Sequence, residues 1–180
     1  MKDRYIFKVI VIGDEAVGKT CLIKRYTENI FPEHSYQTIG VDFSVKEMGL
    51  YDSRVKLQIW DFAGQKHYRS FQYTFCEGAE GAIIAFDLSD PRTLKNLDNW
   101  LLFLKDSLTK EIPTIIVGTK SDIKSNNLDW KKLLNFTRKN NLKYFETSAK
   151  ENISIDPPFY YLSRIILENH NKITKAVLTN

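Results

Sequence analysis

The segment GDEAVGKT, residues 13–20, combines residue types that hold a phosphate with one acidic residue. Its glycines, lysine and threonine form the pattern G-x-x-x-x-G-K-T. In such a loop the backbone N–H groups converge on the phosphates, the lysine adds a point charge, and the threonine hydroxyl can ligate Mg²⁺. Because main-chain amides form the cradle, the acidic side chain can point away from it. We predict a phosphate site made by Glu15, Ala16, Val17, Gly18, Lys19, Thr20 and Cys21.

A second segment, WDFAGQ at residues 60–65, carries residue types suited to a metal and a reactive water. Asp61 is placed to hold Mg²⁺ through a water, and Gly64 lets the backbone approach a γ-phosphate. Gln65 can orient a water for in-line attack, so we predict that it is catalytic. Each segment also has a plainer interpretation as a glycine turn at the end of a strand. The two together favour phosphate chemistry.

Short apolar runs alternate with stretches of helical period, as expected when helices cover both faces of a sheet. We predict an α/β domain of three layers, with a six-stranded, mostly parallel sheet, one antiparallel edge strand and five helices. The predicted strands are 6–12, 41–48, 55–61, 82–87, 114–118 and 143–147, and the predicted helices are 18–26, 68–76, 91–108, 130–140 and 157–169. In such sheets ligands bind at the carboxyl ends of the strands, where both segments fall.

The length of 180 residues suits one domain, with a core over 6–170 and a short tail over 171–180. There are 26 Lys and Arg against 22 Asp and Glu, so the net charge is +4 and no basic run argues for nucleic acid. The two cysteines form no metal or disulfide pattern and fit a reducing compartment. We expect a cytoplasmic monomer that does not bind nucleic acid.

With both segments in place, the chain resembles a small GTPase of the Ras superfamily, and most of all its Rab branch. The similarity to Rab proteins rests on IGVDF at 39–43 and on Trp60. The resemblance implies a P-loop NTPase fold that binds GTP or GDP with Mg²⁺, hydrolyses GTP and switches its affinity for effectors. It also implies an exchange factor and a GTPase-activating protein as partners.

The resemblance assigns further binding residues. Thr38 matches the threonine that meets Mg²⁺ and the γ-phosphate, so the implied metal set is Thr20, Thr38 and Asp61. Phe31 matches an aromatic residue beside the guanine, although a core phenylalanine would fit the sequence as well. The segments VGTKSD and ETSAK match the guanine-reading loops and contribute Thr119, Lys120, Asp122, Ser148, Ala149 and Lys150.

Two departures bear on activity. Thr119 stands where most of the family has Asn, although the Rho branch also has T-K-x-D, so we expect guanine recognition with lower affinity. Glu15 stands where the family usually has Gly or Ser, beside the positions of Gln65 and an activating arginine. Our hypothesis is slow hydrolysis, against the plainer interpretation of Glu15 as a solvated side chain. The alternatives are a nucleotide-loaded binding module that hardly hydrolyses GTP, and an ATP enzyme such as a kinase.

The resemblance also assigns surfaces for partners. Effectors are expected at residues 39–43, Trp60 and Phe75, where Phe43, Trp60 and Phe75 match the aromatic triad of Rab proteins; the same three rings could instead belong to the core. Rab proteins end in a tail with prenylated cysteines, whereas this sequence ends in HNKITKAVLTN. We therefore expect membrane association only if a lipidated tail belongs to the protein.

Overall fold

A six-stranded sheet forms the centre of the computed structural model, which describes residues 3–32, 37–65 and 69–178. The strand order is β2-β3-β1-β4-β5-β6, and only the edge strand β2 is antiparallel to its neighbour. This confirms the predicted sheet. The strands are β1 (Arg4–Gly13), β2 (Val41–Leu50), β3 (Ser53–Phe62), β4 (Gly81–Asp87), β5 (Thr114–Thr119) and β6 (Lys143–Glu146).

Helices connect the parallel strands and cover both faces of the sheet. They are α1 (Lys19–Glu28), α2 (Arg69–Cys76), α3 (Pro91–Leu94), α4 (Leu97–Ser107), α5 (Trp130–Lys139) and α6 (Asp156–Leu178), with a 3₁₀ helix at Ser121–Ile123. The 3₁₀ helix was not predicted. Helix α6 was predicted to end at residue 169 but continues to Leu178, into the residues predicted as a tail.

The prediction of one helix over 91–108, and with it the count of five helices, is wrong. Asp90 does cap the start, because its side chain accepts a hydrogen bond of 3.0 Å from the backbone N–H of Arg92. The helix then stops at Leu94 and a new one begins at Leu97. The side chain of Asn96, between the two, is turned toward Asp14, 2.7 Å away. A tertiary contact therefore falls where the helix breaks.

Two apolar layers, one on each face of the sheet, make up the core. One layer packs α1 and α6 against the sheet through Leu22, Tyr26 and Phe159. The other packs α2 to α5 against the opposite face, with Trp100 and Phe136 among its members. The expected three-layer architecture follows from these two cores. None of the helices in the described part of the chain has both the length and the apolar character needed to cross a bilayer.

Candidate functional site

A cleft of about 460 Å³ lies where the motifs follow the carboxyl ends of the parallel strands. Most of the predicted site residues line it; they are Glu15, Ala16, Gly18, Lys19, Thr20, Cys21, Phe31, Thr38, Gly64, Gln65, Thr119, Lys120, Asp122, Ala149 and Lys150. Val17, Asp61 and Ser148 do not line the cleft but are buried beside these residues. The structure thus gathers into one place residues from both ends of the sequence.

Lys19 is buried at the start of α1, and its ammonium is held by the loop that precedes it. Its Nζ donates to the backbone oxygens of Gly13 and Asp14, at 2.9 Å and 2.7 Å. Burial lowers the pKa of Lys19 to about 8, although the carboxylates of Asp61, Asp14 and Glu15 act in the opposite direction. An ammonium held at the start of a helix suits an anionic ligand.

Three oxygen-bearing side chains meet beside Lys19. The hydroxyl oxygens of Thr20 and Thr38 are 2.8 Å apart, and both hydroxyls donate to Oδ2 of Asp61, that of Thr38 over 3.3 Å. Oδ1 of Asp61 is buried and has no hydrogen-bond partner among the described residues. Burial raises the pKa of Asp61, while the hydrogen bond from Thr20 lowers it. Hard oxygen ligands around an unsatisfied carboxylate are the kind of set that Mg²⁺ prefers.

This cluster differs from the usual carboxylate-rich or histidine-rich metal centres. Within 3–32, 37–65 and 69–178, no group of three or more His, Cys, Asp or Glu side chains could hold a metal ion. A magnesium ion here would need the two threonine hydroxyls as well as the carboxylate. The metal set implied by the resemblance, Thr20, Thr38 and Asp61, therefore stays a prediction.

Glu15 points into the cleft, toward two glutamines. The side-chain amides of Gln37 and Gln65 both donate to Oε1 of Glu15, that of Gln65 over 3.4 Å. The carboxylate lies beside Gln65, where the resemblance places residue 15. Sequence reasoning missed Gln37, because no motif marks it; only its place next to Thr38 puts it at the cleft.

Gly64 lies against the backbone of the phosphate loop. A Cβ atom at this position would overlap the backbone of Asp14 and Glu15. The segment that carries Gln65 can therefore approach the loop only because residue 64 has no side chain. From the sequence we explain this glycine by the approach of its backbone to a γ-phosphate. In the structure the backbone atoms next to it are those of Asp14 and Glu15.

Thr119 and Lys120, at the end of β5, tie that strand to the phosphate loop. The Thr119 hydroxyl donates to the backbone oxygen of Val17 and also lies 2.9 Å from that of Phe86. The ammonium of Lys120 donates to the backbone oxygen of Ala16 at 2.9 Å and forms an ion pair of 2.6 Å with the buried carboxylate of Asp87. Asp87 belongs to no motif named above, and its position at the end of β4 was the only signal available.

Asp122 and Ser148 lie together at the far end of the cleft. The Ser148 hydroxyl donates to Oδ1 of Asp122 at 2.6 Å, which fixes the direction of the carboxylate. Asp122 is exposed in the cleft. Arg25 braces the adjoining loop through a 2.8 Å hydrogen bond to the backbone oxygen of Ala149. Phe31 is exposed at the cleft, which excludes the alternative of a core phenylalanine.

The aromatic triad forms a contiguous surface next to the cleft. The ring centroids of Phe43 and Trp60 are 5.2 Å apart, and those of Trp60 and Phe75 are 5.6 Å apart. Phe43 is 46% exposed and Ile39 is 79% exposed, whereas Trp60 and Phe75 are partly buried. The rings are therefore part surface and part core, between the two interpretations of the sequence.

The fold and the cleft together define a class, the small GTPases. A model of the Ras family matches residues 8–168. The chain belongs to the Ras family and to its Rab branch.

Several Rab proteins are similar to this chain over most of its length. Ras-related protein Rab-13 of Rattus norvegicus is 34% identical over 164 residues, which cover 91% of this chain and 81% of that protein. Ras-related protein Rab-8A of Bos taurus is 34% identical over 173 residues, covering 93% and 82%. Ras-related protein Rab-10 of Diplobatis ommata is 33% identical over 164 residues, covering 91% and 82%.

Proposed function

We propose that this protein is a slow GTP hydrolase that acts as a molecular switch in membrane trafficking. GTP or GDP would occupy the cleft, with its phosphates against the amides of residues 15–21 and the ammonium of Lys19. The observation that carries the proposal is the gathering of the phosphate loop, Gln65 and Asp122 in one cleft of about 460 Å³. That volume lies in the range of known small-molecule sites.

Guanine selectivity is assigned to Asp122. Its carboxylate would accept two N–H groups of the guanine edge, which adenine cannot supply. The hydrogen bond from Ser148 supports this role, because it holds Oδ1 in one orientation. Lys120 and Phe31 would flank the base, and the backbone amide of Ala149 would meet the guanine oxygen, with Lys150 beside it. Thr119 would brace this loop through its contact with Val17.

The residues that would hold Mg²⁺ are Thr20, Thr38 and Asp61. The metal would neutralise the negative charge of the phosphates. The unsatisfied buried oxygen of Asp61 supports this assignment, since a buried carboxylate without a partner is costly. Thr38 would also act in the switch. Its segment would contact the terminal phosphate of GTP and would be released after hydrolysis.

Slow hydrolysis is assigned to Glu15. Gln65 must orient the attacking water, but its amide donates to the Glu15 carboxylate over 3.4 Å. That carboxylate would also repel a developing negative charge on the phosphoryl group. A second candidate function is a nucleotide-loaded binding module that hardly hydrolyses GTP. The contact between Gln65 and Glu15 favours it if the contact persists with GTP bound.

Single-turnover hydrolysis of GTP in wild type, Glu15→Gly and Glu15→Gln tests the assignment. We expect Glu15→Gly to be at least about tenfold faster, because positioning and proton transfer by a side chain are worth about 10²–10⁴ in rate. Glu15→Gln keeps the size and removes the charge, so it separates the two effects. Glu111→Gly, at an exposed glutamate in a loop far from the cleft, is the control.

The hydrolysis rates test the role of Glu15, and the binding heats test the choice of base. Equal rates in wild type and Glu15→Gly would overturn the role of Glu15 while leaving nucleotide binding intact. No phosphate release over hours in any variant would favour the binding module. Calorimetry with GDP and ADP tests the site itself, and equal heats for the two nucleotides would overturn the guanine assignment.

Effector proteins are assigned to residues 39–43, Trp60 and Phe75. The exposure of Ile39 and Phe43 next to Thr38 supports this, because a contiguous apolar surface beside the cleft can respond to the nucleotide. An exchange factor and a GTPase-activating protein would act on the same face. A cytoplasmic location, with recruitment to membranes if a lipidated tail is present, completes the proposal.

A further inference from the structure

A second, larger groove opens at the amino ends of the strands, opposite the end that carries the nucleotide cleft. It has a volume of about 870 Å³ and lies where β5 and β6 begin, at Thr114 and Lys143. The second half of α4, the end of α5 and the first half of α6 form its walls. None of the residues that line it also lines the nucleotide cleft.

The floor of this groove is apolar. Leu101, Leu108, Ile112 and Leu142 are partly buried against the core and leave part of their surface in the groove. Tyr161 adds a partly buried ring from α6. These residues come from two helices and two loops, so the floor is a concave surface rather than a single helix face.

The rim of the groove is basic. Four exposed lysines surround the floor, and one exposed glutamate, Glu111, accompanies them; the lysines are Lys105, Lys110, Lys139 and Lys143. In the part of the chain that the structure describes, none of these lysines forms an ion pair. With four lysines and one glutamate, the rim carries a net charge of +3 around an apolar floor.

We propose that this groove docks an acidic, amphipathic segment of a partner protein. The apolar side chains of that segment would fill the floor, and its Asp and Glu residues would face the four lysines. The concave shape favours a protruding peptide over a bilayer, because a flat membrane surface cannot reach the floor. The one aromatic ring in the lining, Tyr161, is a poor stacking platform for nucleic acid.

Because the groove is separate from the nucleotide cleft, docking there should not depend on the nucleotide. This distinguishes it from the effector surface, which is expected to respond to the γ-phosphate. The proposal therefore adds a second function to the proposed GTPase switch. It is a docking site at the amino ends of the strands that binds its partner whichever nucleotide is present. Its failure would leave the proposed GTPase function untouched.

The experiment selects peptides from a random library of about 15 residues against the GDP-loaded protein, long enough for an amphipathic helix or an extended segment. Bound peptides are then tested by fluorescence polarisation on wild type and on the double variant Lys105→Glu, Lys143→Glu. A matched double variant, Lys95→Glu, Lys131→Glu, changes the same charge at two exposed lysines outside the groove. Retained nucleotide and thermal unfolding confirm that each variant is folded.

We expect binders rich in Asp, Glu and large apolar residues, with affinity that falls as salt rises. The groove variant should weaken their binding at least about tenfold, because it places like charges opposite each other at the interface. The matched variant should change it less than about twofold. GDP-loaded and GTP-analogue-loaded protein should bind the same peptide equally.

Several results would overturn the proposal. These are no acidic binder from the library, binding that survives the groove variant, or binding that depends on the nucleotide. A parallel assay uses vesicles with and without phosphatidylserine. If the groove lysines govern binding to anionic vesicles but not to any peptide, the groove is a membrane contact and the peptide proposal is wrong.

Discussion

The carboxylate of Asp14 in the phosphate loop accepts a 2.7 Å hydrogen bond from the indole N–H of Trp100 in α4. Its other oxygen accepts one of 2.7 Å from Asn96, at the break between α3 and α4. The loop that would hold the phosphates is thereby connected to helices on one face of the sheet. This contact couples the stability of the fold to the shape of the site.

Substituting Trp100→Phe should therefore destabilise the protein. Loss of the N–H leaves one Asp14 oxygen without its donor, which costs about 1–3 kcal/mol, and the smaller ring adds a packing loss. Denaturant unfolding of the nucleotide-bound protein measures the change in the free energy of unfolding. A double-mutant cycle with Asp14→Ala separates the hydrogen bond from the packing loss, because only the hydrogen bond gives a coupling energy.

Trp130→Phe is the matched control for that experiment. Trp130 is 39% exposed, and the ammonium of Lys124 lies 5.9 Å from its ring centroid. Its substitution should cost no more than about 0.5 kcal/mol, as is usual at the surface. A coupling energy of zero between residues 14 and 100 would show that the bond contributes nothing to stability.

Removing the hydroxyl of Thr119 should weaken nucleotide binding. Thr119→Val keeps the shape but leaves the backbone oxygen of Val17 without its donor, at a cost on the order of 1.4 kcal/mol, or tenfold in dissociation rate. Release of a fluorescent GDP analogue measures this rate. Thr119→Ser retains the hydroxyl and should stay within about twofold of wild type. If the two variants release nucleotide equally fast, the hydroxyl has no role.

Much of the fold could be predicted because strand and helix patterns are local. The short runs before Gly13, Asp87 and Thr119 are apolar and uninterrupted, so these buried parallel strands were evident. The break between α3 and α4 was hidden, because Leu94 and Leu97 are both buried and their spacing fits one continuous helix. At this break Asn96 contacts Asp14, which is distant in sequence.

The candidate site was predictable wherever a motif encodes backbone geometry, as in the phosphate loop. The residues that were missed, Gln37, Asp87, Arg25 and Trp100, act through side chains whose partners lie far away in sequence. No spacing rule connects them. The contact between Glu15 and Gln37 was missed for the same reason, since their two segments are brought close only by the fold.

Adding a methyl group at Gly64 should impair hydrolysis more than binding. The Cβ of Gly64→Ala would overlap the backbone of residues 14 and 15, so the segment carrying Gln65 must move away. A displacement of about 1 Å at a reacting group can cost about a hundredfold in rate. Gly49→Ala is the control, because nothing lies within 4 Å of its added Cβ. Single-turnover hydrolysis and GDP affinity are measured on both variants, and Gly64→Ala should lose far more hydrolysis rate than GDP affinity. Equal hydrolysis rates in Gly64→Ala and Gly49→Ala would contradict the prediction.

Removing magnesium should speed nucleotide release, and Asp61 should carry much of that response. The buried Asp61 oxygen has no described protein partner, so a bound cation would be its main source of compensation. Chelation by EDTA should raise the GDP release rate by roughly ten- to a hundredfold, since charge-assisted contacts are worth about 1.5–3 kcal/mol each. Asp61→Asn should release GDP quickly even with magnesium present and respond little to EDTA. Asp106→Asn, at an exposed carboxylate near the end of α4 and outside the cleft, should keep the wild-type response. If Asp61→Asn and Asp106→Asn respond to EDTA alike, the carboxylate of Asp61 is not part of the metal site.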